Sequence, residues 1–209
     1  ARTAGAPGET DGLTLFAVDK DAANMSLESA RLVDSSMAAH VSLDGVEVDG
    51  DAVIGEVDNG WQVLSALLRA GRAGSAAELV GVGAGAMDMT VDYLKQRKQF
   101  GKLIGEFQAL QHRSAHLYSE MEIARAAVLK AQQLLDEGKD SAEVYVSVAK
   151  AKAGRTTNLT VREGVQMHGG IGMTDEYDIG FYMKRDRALN EFMGDANFHA
   201  GRVAEIFGY

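Results

Sequence analysis

The chain has 209 residues, of which 46% are hydrophobic and 24% are charged, a composition that supports a packed core rather than intrinsic disorder. Its formal net charge of -9 argues against general binding to nucleic acids or to anionic membrane surfaces. Because cysteine is absent, disulfide bonds, thiolate zinc sites and a catalytic thiol are excluded.

The sequence contains no targeting or membrane-spanning signal that we can identify. No apolar run reaches the roughly 18 residues that a transmembrane helix needs. The start, Ala1 to Gly5, lacks the apolar core of a signal peptide and an initiator methionine. We therefore expect a cytoplasmic location and interpret the chain as a fragment or a processed product.

The first quarter of the chain has a strand-like pattern. Leu13, Leu15 and Ala17 alternate with Thr14, Phe16 and Val18, the polar cluster from Asp19 to Asn24 ends that run, and a second alternating stretch covers residues 39–48. The dipeptides Asp44-Gly45 and Asp49-Gly50 are turn signals. This part predicts a piece of an antiparallel sheet that is too small to be stable alone.

From Trp61 onward the pattern becomes helical. One long helix is predicted from Trp61 to about Gln96, and the turn at residues 100–102 ends it. The next helix has apolar and small residues at alternating spacings of four and three, which is typical of a bundle seam. The residues of this seam are Leu110, Ser114, Leu117, Met121, Ala124 and Val128.

Two further helices complete the predicted bundle. A third helix is expected from Ser141 to about Met167, with Ser141 or Asp140 as its N-cap, and a fourth from about Ile179 to Phe207. The predicted fold is mainly α: an up-down four-helix bundle over residues 59–209, preceded by a partial antiparallel β-domain over residues 1–58.

Two patterns that imitate functional motifs are interpreted as structural. Gly81, Gly83 and Gly85 are spaced like part of a dinucleotide-binding motif, but they lie within a predicted helix, so close helix packing is expected. Asp195 and His199 have a metal-like spacing, but no second pair accompanies them. We expect a surface pair there and predict no metal site.

Two turns carry the strongest functional signals. Residues 97–102, Arg-Lys-Gln-Phe-Gly-Lys, are either a phosphate clamp or a solvated helix end in which basic side chains favour the dipole. Residues 166–172, Gln-Met-His-Gly-Gly-Ile-Gly, place three glycines where the backbone could lie against a ligand, or they form a flexible turn between helices.

Taken together, five ordered motifs give the chain a specific resemblance. Arg-x-x-Phe-Gly (97–101), Phe-Gln-x-x-Gln (107–111), Gln-x-x-Gly-Gly-x-Gly (166–172), Glu-Tyr (176–177) and Arg-Asp (185–186) follow one another in the sequence. In this order and spacing the chain resembles the acyl-CoA dehydrogenase family, from the second half of its middle β-domain to the end of its C-terminal helical domain.

The resemblance implies a flavin enzyme. Family members bind FAD and oxidise an acyl-CoA thioester to the trans-2-enoyl-CoA, with a carboxylate as base and an electron-accepting flavoprotein as partner. In the family fold the two turns reach across a dimer interface to the neighbouring subunit's FAD. The FAD-contacting residues expected on this basis are Arg97, Gln99, Phe100, Gln108, Gln166, Gly169 and Gly170.

The catalytic base is where this sequence departs from the family. Most members carry a glutamate a few residues after the Arg-Asp pair, and counting from Arg185-Asp186 places it at Gly194. A minority carry it on the first long helix before an arginine, which corresponds to Gly71. Asp195 could act instead or could be a helix cap, and Glu191 is a poorer candidate.

Two functions of different classes therefore stay open, beside a third interpretation as a plain four-helix scaffold with no link to a flavin. The chain could belong to an active acyl-CoA dehydrogenase, or it could be a non-catalytic subunit that completes the FAD site of a second, dehydrogenase-like chain that carries its own glutamate. In either case we expect a homo- or hetero-oligomer, such as a dimer of dimers. The acyl group, and whether oxygen can act as electron acceptor, do not follow from the sequence.

Overall fold

A computed structural model describes residues 1–209 and divides into two compact units, Ala1–Arg69 and Ala70–Tyr209. Helix α1 (Trp61–Gln96) begins in the first unit and continues without a break into the second. The domain boundary that the sequence suggests between residues 58 and 59 stays a prediction.

The N-terminal unit contains two short antiparallel pairings. Strand β1 (Leu15–Phe16) pairs with β4 (Val53–Ile54), and β2 (Met25–Arg31) pairs with β3 (Met37–Leu43). The sequence pattern missed β2, because Met-Ser-Leu-Glu-Ser-Ala-Arg is mostly polar or small. It also extended the second strand too far: Gly45 has a φ of +70°, and this turn ends the strand before Val46 and Val48.

The C-terminal unit confirms the predicted helical architecture. Its other helices are α2 (Gln108–Asp136), α3 (Ala142–His168), α4 (Ile179–Glu191) and α5 (Ala196–Phe207). The fold is mainly α, with a helical bundle that follows a small antiparallel strand region. The predicted ends of α1 and α3 agree with the structure to within one residue, since glycines and polar turns mark them in the sequence.

The fourth predicted helix is wrong in one respect: it is two helices. The chain leaves the helical conformation at Phe192–Asp195, where Met193 has a φ of +59° and Gly194 a φ of +105°. No proline marks this break. The helical pattern on both sides therefore suggested one continuous helix, although the backbone turns sharply between α4 and α5.

Small residues allow the helices to approach closely in the core. Ala76, Ala124, Ala149 and Ala153 are fully buried in one cluster to which α1, α2, α3 and α4 all contribute. A Cβ at Gly83 would lie 2.8 Å from the Met121 sulfur and 3.1 Å from the Thr157 hydroxyl. The packing interpretation of this glycine is thus confirmed.

The structure contains neither a membrane-spanning helix nor a cluster of side chains that could bind a metal. No helix combines the length and the hydrophobicity that crossing a membrane requires. No group of three or more histidine, aspartate or glutamate side chains is arranged to hold a metal ion.

Candidate functional site

The first turn singled out by the sequence is a tight hairpin after α1. Strand β5 (Lys98–Gln99) pairs with β6 (Lys102–Leu103), and the two residues between them have positive φ, +54° at Phe100 and +81° at Gly101. This is the backbone that a two-residue hairpin requires, and it explains the glycine. The Phe100 ring is 91% exposed and meets the ring of Phe107 edge-on at 6.2 Å.

The second turn begins where α3 ends. Gly169 has a φ of +66°, so the helix stops there and a short 3-10 turn, Gly169–Met173, follows. A Cβ at Gly169 or Gly170 would meet nothing within 4 Å, whereas one at Gly172 would lie 2.6 Å from the Val165 carbonyl oxygen. The backbone of the first two glycines is therefore open to a ligand, while Gly172 serves the turn itself.

The two turns face one groove of about 300 Å³. Its walls come from the end of α1, the start of α2 and the end of α3. The residues predicted from sequence that line it are Arg97, Gln99, Gln166, Gly169 and Gly170. Phe100 and Gln108 are exposed nearby and do not line it.

The groove also contains residues that the sequence did not single out: Tyr93, Arg113 and His168. Arg113 donates a 2.5 Å hydrogen bond from Nε to Glu163 and is neutralised by it, whereas Arg97 is exposed and has no ion-pair partner within the chain. The groove thus offers one uncompensated guanidinium beside an open glycine backbone, which suits a phosphate group.

The two positions expected for the base lie at the junction of α4 and α5, not in this groove. A Cβ at Gly71 would lie 2.5 Å from Cε of Met193. A Cβ at Gly194 would lie 2.8 Å from Cε1 of Phe198 and 3.1 Å from Nε2 of His199. A side chain at either position would therefore require the flexible end of Met193 or the ring of Phe198 to move.

Asp195 and Glu191 line a separate polar cavity of about 280 Å³. Asp195 is the N-cap of α5, and its Oδ1 accepts a 2.7 Å hydrogen bond from the backbone N–H of Phe198. This bond satisfies one of the free N–H groups of the first helical turn. Neither acid lines the groove that contains Arg97 and Gln166.

Buried cations fix the loop between α4 and α5. The Lys150 ammonium, which is fully buried, donates to the carbonyl oxygens of Leu189 (3.0 Å), Asn190 (3.3 Å) and Gly194 (3.0 Å). A cation at this point also stabilises the C-terminal end of α4. Burial lowers the pKa of Lys150 to about 8, against the opposing effect of Asp195, Asp186 and Glu191.

His199 also contacts the loop between α4 and α5. The surface pair predicted for Asp195 and His199 is wrong, because His199 is fully buried and its Nε2 lies 3.2 Å from the Met193 carbonyl oxygen. Arg72 donates to the same oxygen over 3.3 Å. Burial, followed by the positive charges of Arg72 and Lys150, lowers the pKa of His199 to about 4.

Comparison with known proteins decides the family. Residues 58–207 match the family described as acyl-CoA dehydrogenase, C-terminal domain. This chain belongs to the acyl-CoA dehydrogenase family. The resemblance carried by the five sequence motifs is thereby confirmed.

Relatives and solved structures extend the similarity beyond that domain. The chain is 30% identical over 93% of its length to the short/branched chain specific acyl-CoA dehydrogenase of Bos taurus. It superposes on butyryl-CoA dehydrogenase from Megasphaera elsdenii with a TM-score of 0.91 at 25% identity, over 98% of this chain and 54% of that one. A steroid ACAD variant, Tcur3481-Tcur3483, matches with a TM-score of 0.83 at 31% identity, over 94% of this chain and 52% of that one.

The chain spans about half the length of the curated relatives it matches, 45% of the bovine protein. Members of the family are FAD flavoproteins, and the groove fits the diphosphate part of such a ligand. Arg97 offers bidentate donors, and the bare backbone of Gly169 and Gly170 leaves the space that a phosphate needs. Gln166 adds an amide that can donate and accept.

Proposed function

We propose that this chain serves an FAD-dependent acyl-CoA dehydrogenase by completing the binding site for the flavin nucleotide. The observation that carries the proposal is the convergence of Arg97, Gln166, Gly169 and Gly170 on one groove, although about 70 residues separate the two turns in sequence. The reaction is the oxidation of an acyl-CoA thioester to the trans-2-enoyl-CoA. This reaction is the one that the family motifs imply, and the groove would contribute to it by binding the flavin nucleotide.

Within the groove the residues have separate tasks. The Arg97 guanidinium pairs with the diphosphate, and the Gly169 and Gly170 backbone lies against it without side chains in the way. Gln166 orients the nucleotide by an amide hydrogen bond. When bound, FAD would supply the electron acceptor for the hydride from the β-carbon of the acyl chain, and a carboxylate base would take the α-proton.

We further propose that the base comes from a second, dehydrogenase-like chain in a hetero-oligomer. Both usual positions in this chain are glycines, and Met193 and Phe198 fill the space beside them. The similarity to the steroid ACAD whose name joins the labels Tcur3481 and Tcur3483 is consistent with such an assembly. An electron-transferring flavoprotein would reoxidise the flavin. We also propose a cytoplasmic location, which the sequence alone suggests.

Asp195 as the base of this chain is the second candidate. Asp195 directly follows Gly194, and one of its carboxylate oxygens accepts a hydrogen bond at the N-terminus of α5. A base displaced by about 1 Å can lose about 100-fold in rate. This version requires the loop at Phe192–Asp195 to move against the hydrogen bonds that Lys150, Arg72 and His199 make to it.

The decisive experiment compares the protein alone with its complex with a co-expressed, glutamate-containing dehydrogenase chain. We expect dye reduction with an acyl-CoA only from the complex, and loss of bound FAD absorbance when Arg97→Ala is introduced into this chain. Arg162→Ala, an exposed arginine on α3 outside the groove, is the matched control and should retain FAD. Full FAD content in Arg97→Ala, or an active homomer that Asp195→Asn inactivates, would contradict the proposal.

A further inference from the structure

His168 is the least exposed polar side chain that lines the groove. It is the last residue of α3 and is 2% exposed. Its ring packs against two tyrosines, with centroid distances of 4.4 Å to Tyr93 and 4.7 Å to Tyr177, and these two rings also meet each other edge-on at 5.7 Å. The ring therefore has a fixed position in the wall of the groove.

The hydrogen bonds of this ring determine its tautomer. Nδ1 lies 2.7 Å from the Gly164 carbonyl oxygen, and because a carbonyl oxygen can only accept, the proton must be on Nδ1. Burial lowers the pKa of His168, so the ring is neutral at neutral pH. Nε2 then carries a lone pair and can act only as an acceptor.

This Nε2 has no hydrogen-bond partner in the protein although it is buried. Buried polar atoms in folded proteins nearly always have a partner, and an exception calls for an explanation. His168 is also one of the residues that line the groove formed by the two turns.

We propose that His168 is a further ligand-binding residue of this groove and that its Nε2 accepts a hydrogen bond from a hydroxyl group of the nucleotide. The inference rests on the proposed function of the groove. A phosphate oxygen cannot take this place, because it is itself an acceptor. Arg97 and the two glycines thus recognise the diphosphate, while His168 recognises a sugar hydroxyl beside it.

The division of roles makes separate predictions for two probes, ADP and inorganic pyrophosphate. His168→Phe keeps an aromatic ring packed against the two tyrosines and removes Nε2. In calorimetric titrations it should weaken ADP binding about 3- to 10-fold, the usual effect of one neutral hydrogen bond, and leave pyrophosphate binding unchanged. Arg97→Ala should weaken both probes, and His116→Phe, an exposed histidine on α2 outside the groove, should weaken neither.

The outcomes distinguish the inference from the function on which it rests. Unchanged ADP binding in His168→Phe overturns the inference and leaves the proposed function standing if Arg97→Ala still weakens binding. An equal loss for ADP and pyrophosphate assigns the bond to a bridging water and overturns the hydroxyl contact. If the wild-type protein in its native assembly binds neither ADP nor FAD, both proposals fail.

A second measurement uses the unaltered protein and is independent of how the variant folds. Histidine nitrogen NMR reports on Nε2 directly, and the Nε2 resonance of His168 should shift toward that of a hydrogen-bonded acceptor on addition of ADP. Pyrophosphate should not produce this shift. An Nε2 resonance whose chemical shift does not change at saturating ADP would overturn the inference.

Discussion

Met193 lies where a side chain at position 71 would have to be. Its Cε is 2.5 Å from the position of a Cβ on Gly71, and the methionine comes from the loop between α4 and α5, more than 120 residues away in sequence. Gly71 and Gly194, the two positions expected for the base, are thus close to each other in this chain, because Gly194 directly follows Met193.

The first prediction concerns Gly71. Gly71→Ala gains helix propensity, but the alanine methyl must displace the flexible end of Met193, so we expect the free energy of unfolding to rise by less than the helix propensity alone would give. Gly74→Ala on the same helix meets nothing within 4 Å and should raise it by about 0.5–1 kcal/mol. Denaturant unfolding measures both.

A double-mutant cycle isolates the contact between the two residues. Combined with Met193→Ala, the Gly71→Ala substitution should stabilise the protein more than it does alone, because the clash is gone. Additive effects of the two substitutions would show that Met193 does not occupy this space.

The second prediction concerns Gly194, whose φ is +105°. Gly194→Ala adds a strained backbone conformation to a clash with the Phe198 ring, so we expect a loss of about 2–4 kcal/mol in the free energy of unfolding. Gly180→Ala, at an open position of α4, is the control and should be neutral or stabilising. A glutamate placed at position 194 would therefore destabilise the loop rather than restore a base. Equal thermal stability of the two alanine variants would contradict this account.

The third prediction separates the two roles considered for Asp195. Asparagine caps a helix about as well as aspartate, whereas alanine does not, so Asp195→Ala should lose about 1 kcal/mol of stability and Asp195→Asn a few tenths. If Asp195 is only a cap, activity of the assembled enzyme should survive in Asp195→Asn. An inactive but stable Asp195→Asn variant would instead identify Asp195 as the base.

The fourth prediction is a loss of stability in acid that depends on His199. Its folded-state pKa of about 4 lies below the ordinary value of 6.5, so between these two values the unfolded chain binds a proton that the folded chain excludes. Stability is therefore fully present above pH 6.5 and decreases as the pH falls toward 4, by on the order of 3 kcal/mol. The positive charges of Arg72, Lys150 and Arg202 add to the effect of burial.

The measurement is the midpoint of denaturant unfolding between pH 4 and 7. His199→Gln should flatten the decrease that the wild type shows, because glutamine does not titrate. His116→Gln, at an exposed histidine, should keep the wild-type pH dependence. If His199→Gln and the wild type lose stability in parallel, the buried histidine is not the cause.

Local chemistry in the sequence determined the long helices and the two functional turns. Trp61–Gln96 and Ala142–His168 were predictable because apolar periodicity, glycines and polar breaks mark them within a few residues. Motif order also predicted Arg97, Gln166 and the glycines after His168 as cofactor-binding residues, and the structure brings them to one groove. These signals are local, so they can be recognised without knowing which helices pack against one another.

Only the tertiary structure decided which residues from different elements contact one another and which side chains are buried. The break at Phe192–Asp195 is held by Lys150 from α3 and His199 from α5, and the local signals for it, Gly194 and the N-cap Asp195, were not recognised in the sequence as a helix break. The lone pair on His168 becomes unusual only because the packing of α3 against its neighbours buries it. Contacts between distant residues depend on helix packing, and packing is a property of the whole chain rather than of any segment of it.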